Sequence, residues 1–293
     1  MKYRVSHTTE FLYAARVGLC YNLARVEPRE LPCQRVLGTD LRIDPPPNDH
    51  YRGIDFFGNH TDYFSIQQPH DALRVTAISE VDVSPAESGL FDHAGDPGWE
   101  VVRERLHSDR SPEGLEAFQF TLDSPMVATD RLLADYARPS FPPGRLFEEA
   151  VLDLTGRIYR EFKYDPGFSD IATPLKEVLQ HRSGVCQDFA HLALGCLRAQ
   201  GLAARYVSGY IETDPQPGKD KLVGADASHA WFSVFQPGRG WLDFDPTNNQ
   251  RPAERHITVA WGRDYADVTP LQGVAYGGGE HELKVAVDVQ RIG

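Results

Sequence analysis

Residues 182 to 206 read RSGVCQDFAHLALGCLRAQGLAARY, and their apolar side chains recur at helical spacing. Counting from Cys186, the residues Phe189, Ala190, Ala193, Leu194 and Leu197 fall on one stripe, the face by which an amphipathic helix joins a core. Gly201 stands where a glycine ends such a helix, and Arg198 lies in its last turn. Ser183 or Gly184 is the expected N-cap, which puts Cys186 in the first turn, on the inward side. The next segments change period. RYVSGYIE (205–212) is β-rich, and the strands HAWFSVF (229–235) and WLDFD (241–245) flank QPGRG, a hairpin turn. Helix followed by antiparallel strands makes this half of the chain α+β.

The front of the chain alternates at strand period from the start. Tyr3, Val5 and His7 alternate with Arg4 and Ser6, and Leu73, Val75, Ala77, Val81 and Val83 keep the same beat. DPPPND (44–49), FFGNH (56–60) and QQPHD (67–71) are turn signals between the runs. Residues 1–88 therefore read as an all-β N-terminal domain, and 89–293 as a second domain, helical over 89–200 with a sheet over 205–250. Within it, 84–98 is a loop, 112–120 and 127–137 are short helices, and RLFEEAVLDLTGRIYREF (145–162) carries a helical stripe. Another helix starts at Thr173 with Pro174 in its first position, and 213–228 is a polar loop. ELKVAVDVQRI alternates strictly, so 281–292 is a final strand, free to pair with either domain.

Charge and cysteine usage narrow the function classes. The 293 residues carry 30 Lys and Arg against 42 Asp and Glu, a net charge of −12. An acidic chain without a basic cluster is a poor binder of nucleic acid or anionic membranes. The N-terminus has no basic head followed by a long apolar stretch, and no apolar run reaches membrane-spanning length. Cys20, Cys33, Cys186 and Cys196 form no CxxC pair. A cytoplasmic protein with reduced thiols is the expectation.

Cys186 has two readings. It can simply pack, as Cys196 is expected to. At a helix head, however, unpaired N–H groups and the positive end of the dipole favour thiolate over thiol and can stabilise an oxyanion. A thiol nucleophile then needs a base. Of the eleven histidines, His229 is the best placed, since it opens the strand HAWFSVF, whose hairpin partner carries Asp243 and Asp245. A five-residue QPGRG loop sets Phe235 opposite Trp241 and Ser233 opposite Asp243, and places Trp231 opposite Asp245. Asp245 is then the diagonal neighbour of His229, within side-chain reach, and Asp243 lies further off. A carboxylate there fixes the imidazole tautomer and stabilises imidazolium. The alternative is a solvated surface histidine beside two carboxylates.

RSGVCQDFAHL, RYVSGY, SHAWFSVF and GWLDFDPTN, in this order and spacing, resemble the core of the transglutaminase-like superfamily. The alternating front with DFFGN, and the tail WGRDYADVTPLQGVAYGGG, resemble its bacterial two-domain members. The resemblance implies a papain-like α+β core, with the cysteine helix packed on an antiparallel sheet. It implies Cys186 as nucleophile, His229 as base and Asp245 as its orienter, with an acyl-enzyme formed on protein or peptide amides. Water would resolve that intermediate in a cysteine protease or amidase, and an amine in a protein-glutamine transamidase. Hydrolysis is the expectation, since water is always available and nothing marks a dedicated amine channel. Animal relatives support the oxyanion with an upstream tryptophan. Here the corresponding stretch is FKYDPGF, which makes Tyr164 the candidate, with Gln187 and Trp231 as further site-lining candidates. No EF-hand loop or acidic ladder is present, so calcium dependence is not carried over.

Two rivals remain. Cys186, His191, His229 and Asp245 could be written as zinc ligands, but no two have the close spacing of such sites, and GGGEHEL is not HExxH. No P-loop or dinucleotide fingerprint is present, so neither metal nor cofactor is expected. The other rival is a non-catalytic protein-binding module on the same fold, with Cys186 as packing. Substrate identity and oligomeric state are not legible.

Overall fold

The computed structural model describes residues 1–84, 96–169, 173–213 and 228–293. The loops expected at 84–98 and 213–228 lie almost wholly outside the described residues. The chain opens with β1 (Lys2–Ala24), β2 (Gln34–Asp44), β3 (Asp49–Ile54), β4 (His60–Ile66) and β5 (His70–Val83), and the three turn signals fall in the gaps from β2 to β5. These strands form an antiparallel sheet in the order β2-β5-β1-β4-β3. β1 changes its inward parity along its length. Tyr3, Val5, His7 and Thr9 are buried, but beyond a register shift between Val17 and Leu19 it is Cys20, Asn22 and Ala24 that turn inward. A shift of one residue moves every following side chain to the other face. The strand thus serves two cores: Tyr3 and Val5 join Val81 and Val83 in the main core, while Cys20 and Ala24 pack with Phe64, Ile66, Leu73 and Val75.

The helical segment follows as α1 (Trp99–Ser108), α2 (Pro112–Phe118), α3 (Arg131–Ala137), α4 (Phe147–Glu161), β6 (Lys163–Tyr164), α5 (Leu175–His181), β7 (Ser183–Gly184) and α6 (Cys186–Ala199). Several helix starts differ from expectation: α3 begins at Arg131 rather than at 127, because Asp130 caps it by accepting the Leu133 N–H at 2.9 Å and Val127 forms a bridge with Ser124. α5 begins one residue later than predicted, because Pro174 is extended and acts as the N-cap. The N-cap of α6 is Val185 rather than Ser183 or Gly184, because those two residues pair in parallel with Lys163 and Tyr164. The Asp188 carboxylate, at the third position of the helix, instead accepts the Val185 N–H at 2.7 Å, the returning half of a capping box. α6 is also more enclosed than one stripe predicts. Every residue from Asp188 to Arg198 is buried, with β8 and β9 on one side and α3, α4 and α5 on others. Small residues permit this: a Cβ at Gly195 would lie 2.8 Å from Leu133.

The core sheet contains β8 (Ala204–Ile211), β9 (Ser228–Gln236), β10 (Gly240–Phe244) and β11 (His256–Gly262), antiparallel in the order β10-β9-β8-β11. After α7 (Tyr265–Val268), β12 (Leu271–Gly277) and β13 (His281–Arg291) return to pair with β1, in registers that set Tyr21 opposite Val274 and Val5 opposite Val289. The final strand therefore pairs with the N-terminal sheet. That sheet also covers the free edge of β11. The Gln34 amide donates to the Thr258 carbonyl and accepts its N–H, both at 2.8 Å. Asn59 does the same for Trp261 at 2.8 and 2.9 Å. Two side-chain amides thus stand in for a missing strand. No described helix is long and apolar enough to cross a membrane.

Gly209 of RYVSGY sits opposite His229 in the β8–β9 ladder. A Cβ there would meet the Ile257 carbonyl oxygen, and the Trp231 ring at 2.6 Å. Gly209→Ala should lower unfolding free energy by about 1–3 kcal/mol, the usual range for overpacking. Gly38→Ala, which has nothing within 4 Å of the added carbon, is the control, and urea unfolding of both variants is the measurement.

Candidate active site

Cys186 occupies the first position of α6, half-buried, where the N–H groups of the first turn have no helical partner. The other two residues come from the hairpin. In its ladder Phe235 pairs with Trp241 and Ser233 with Asp243, the register that a five-residue loop dictates. Asp245 lies just beyond β10 and is fully buried. Its Oδ2 stands 2.8 Å from His229 Nε2. The Cys186 thiol lies near enough to His229 to help raise its pKa.

The carboxylate is held by more than the histidine. The segment DPTNNQ closes a turn, with Asp245 and Gln250 bonded to each other through their backbones. Inside it the N–H groups of Thr247 and Asn248 donate to Asp245 Oδ1 at 2.9 and 3.2 Å, and Asn248 Nδ2 donates to Oδ2 at 2.7 Å. A third side chain arrives from β11: His256 Nε2 lies 3.1 Å from Oδ2. Burial alone would raise the Asp245 pKa, but the hydrogen bonds from His229 and His256 outweigh it and hold the carboxyl well below the usual range. For His229, burial opposes the charged form. Its hydrogen bond to the Asp245 carboxylate, and then its interaction with Cys186, overcome that and push its pKa up to about 10. The site thus favours an imidazolium against a permanent carboxylate.

The remaining sequence candidates divide by position. Tyr164 pairs with Gly184, two residues before the cysteine, and packs edge-on against Phe189 with its ring half exposed. Burial, then the charges of Cys186 and Asp188, raise its pKa, so it stays a neutral hydroxyl beside the thiol. Gln187 is half-buried at the second position of α6. Trp231 is fully buried and packs against both imidazoles, at 6.0 Å from His229 and 5.2 Å from His256 between ring centroids. Asp243 accepts the Ser233 hydroxyl, away from the histidines. His191, one of the zinc alternatives, instead accepts the Tyr265 N–H at 3.1 Å, and burial lowers its pKa to about 4. A cavity of about 440 Å³ runs along α6, lined by Met126, Leu133, Leu175, Leu179 and His191 but not by Cys186. His229, Asp245 and His256 offer three ligand atoms within 4.8 Å of one another. The 2.8 and 3.1 Å contacts that join them are hydrogen-bond lengths, so hydrogen bonding alone accounts for the cluster.

Comparison with known proteins agrees with this architecture. Residues 3–82 match the family model of the bacterial transglutaminase-like N-terminal region, and residues 138–246 that of the transglutaminase-like superfamily. An uncharacterized protein of Mycobacterium tuberculosis is 47% identical over 98% of this chain and 92% of its own. The chain belongs to the transglutaminase-like superfamily. One from Mycobacterium leprae is 32% identical over 99% and 98%. A protein-glutamine gamma-glutamyltransferase of Pseudomonas aeruginosa shares 37% identity over 102 residues, 33% of this chain and 15% of that protein. Among solved structures, one described as a "Putative Cysteine Protease" from Cytophaga hutchinsonii superposes with a TM-score of 0.75 at 21% identity, over 99% of this chain and 90% of that one. It carries the same fold. Within this transglutaminase-like core, sequence reasoning passed over Asn248 and His256. Asn248 had a local signal, since Asp-Pro-Thr-Asn is a side-chain-closed turn. His256 had none.

The electrostatics set a stability profile. His229 has a raised folded pKa, so its contribution is complete below its ordinary 6.5 and fades as pH climbs toward about 10. Asp245 has a depressed one, so its contribution is complete above its ordinary 3.8 and is lost in acid. Urea unfolding of the wild-type protein at pH 6, 8 and 10 should show stability falling with pH. His229→Gln should flatten that fall, and parallel slopes would mean that His229 carries no charge near neutrality.

Proposed function

We propose that this protein is a thiol-dependent acyl-transfer enzyme acting on protein or peptide amides, chiefly by hydrolysis, as a cysteine protease or amidase. The observation that carries this reading is the position of His229, hydrogen-bonded to a fully buried carboxylate and close enough to the thiol at the head of α6 to be affected by it. In the proposed reaction Cys186 Sγ, as thiolate, attacks the amide carbonyl carbon. The N–H groups of the first turn of α6 receive the developing oxyanion, with the Tyr164 hydroxyl close by. His229 gives its proton to the departing amine as the C–N bond breaks, leaving a thioester. Water then attacks the thioester, His229 takes the water's proton and returns it to the sulfur, and the acid is released. Asp245 stays ionised throughout.

Transamidation is the second reading, favoured by the local likeness to the Pseudomonas aeruginosa gamma-glutamyltransferase. It differs only in the acceptor, a primary amine in place of water. A peptide library incubated with and without such an amine separates the two: cleavage supports hydrolysis, amine incorporation supports transamidation, and neither supports a binding module. Cys186→Ala should abolish either activity with the fold intact, as judged by circular dichroism, and a fully active variant would end the thiol hypothesis. Asp245→Asn should cost on the order of 10³-fold or more in kcat, the scale of losing a triad carboxylate. Asp243→Asn, bonded to Ser233 rather than His229, should cost little.

A further inference from the structure

We propose that His256 is a positioning residue for this reaction, setting the protonation and direction of the Asp245 carboxylate; the inference rests on the reading of Cys186, His229 and Asp245 as a catalytic triad. Its ring is fixed by two bonds at opposite nitrogens. Nδ1 lies 3.4 Å from the Ala253 N–H, and Nε2 lies 3.1 Å from Asp245 Oδ2. A backbone N–H can only donate, so Nδ1 must be the bare nitrogen and Nε2 must carry the proton. The Ala253–His256 turn, closed by the His256 N–H on the Ala253 carbonyl at 2.9 Å, holds this arrangement. Trp231 packs edge-to-face on the ring at an interplanar angle of 85°, and the residue is 6% exposed. His256 therefore presents a fixed N–H to the same carboxylate oxygen that receives His229.

The groups facing Asp245 come from three places: His229 on β9, with Cys186 of α6 beyond it; Thr247 and Asn248 in its own turn; and His256 on β11. Thr247 and Asn248 would be expected of almost any aspartate opening a turn. His256 is different because it arrives from a separate strand across the sheet. A donor on Oδ2 favours the ionised carboxylate and holds that oxygen on the side of the histidines. Both effects keep the Asp245–His229 bond in line, and with it the imidazole that acts on Cys186.

The test reads the thiolate directly and needs no substrate. Alkylation of each cysteine by iodoacetamide is followed by peptide mass mapping from pH 4 to pH 9 in the full chain, as wild type, His256→Phe and His256→Gln, with circular dichroism as the folding check. In the wild type Cys186 should react faster than Cys20, Cys33 and Cys196. In His256→Phe the acidic limb of the Cys186 profile should move up by about half to one pH unit, with a several-fold to ten-fold loss of rate at low pH, the scale of a hydrogen bond to a charged group acting through one intermediary. His256→Gln, whose terminal amide can donate from near the Nε2 position, should restore the wild-type profile. If Cys186 is no more reactive than the other thiols in the wild type, the triad reading fails and this one with it. If Cys186 is reactive and His256→Phe leaves its profile unmoved, only the role of His256 is overturned. Equal shifts in the Phe and Gln variants would assign the effect to packing and also overturn it. Should His256→Phe not fold, His256→Asn, whose amide falls short of Asp245, replaces it in the same comparison with His256→Gln.

Discussion

A carboxylate with no solvent exposure is the constraint around which this half of the molecule is arranged. Transferring an unpaired charge out of water costs far more than a domain's net stability, so Asp245 is tolerated only because donors surround it. Two backbone N–H groups take Oδ1, and His229, Asn248 and His256 take Oδ2. Each donor dictates a piece of structure: the turn from Asp245 to Gln250, the hairpin register that brings β9 alongside β10, and the start of β11. Losing any one donor would leave charge uncompensated in the interior. That interdependence gives a stability reason for the geometry, alongside the chemical one proposed for it.

The same constraint gives the N-terminal sheet a role in the site it does not touch. β11 is an edge strand, and an unpaired edge is open to fraying or to foreign pairing. Gln34 and Asn59 close that edge with paired amide bonds, while β12 and β13 bind the C-terminal segment back onto β1. The strand carrying His256 is thereby clamped between β8 and the front domain. Asn59, the last residue of the DFFGN motif, makes two of these bonds and lies outside the core altogether.

What could be read from the residues, and what could not, follows the range of the interactions. The α+β division, the turns of the front sheet and the hairpin register were legible, because loop length and period act over a few residues. The N-cap of α6 was misplaced because Ser183 and Gly184 are spent on pairing with a strand some twenty residues upstream. The full enclosure of α6 was missed because alanine and glycine look neutral in sequence, although they are what let a second layer approach. The switch of parity inside β1 has no compositional mark, and neither does the pairing of the final strand.

His256 shows this limit most sharply. It begins a strand that pairs with β8, with Ile211 as its opposite residue, so its approach to Asp245 is a property of the sheet rather than of any motif. Eleven histidines in one chain make identity uninformative. What singles out His256 is the conjunction of a bare Nδ1, a protonated Nε2 and a carboxylate already bonded to a second imidazole. Oδ2 accepts donors from three separate places, β9, its own turn and β11, which together hold the carboxylate ionised and fix its direction.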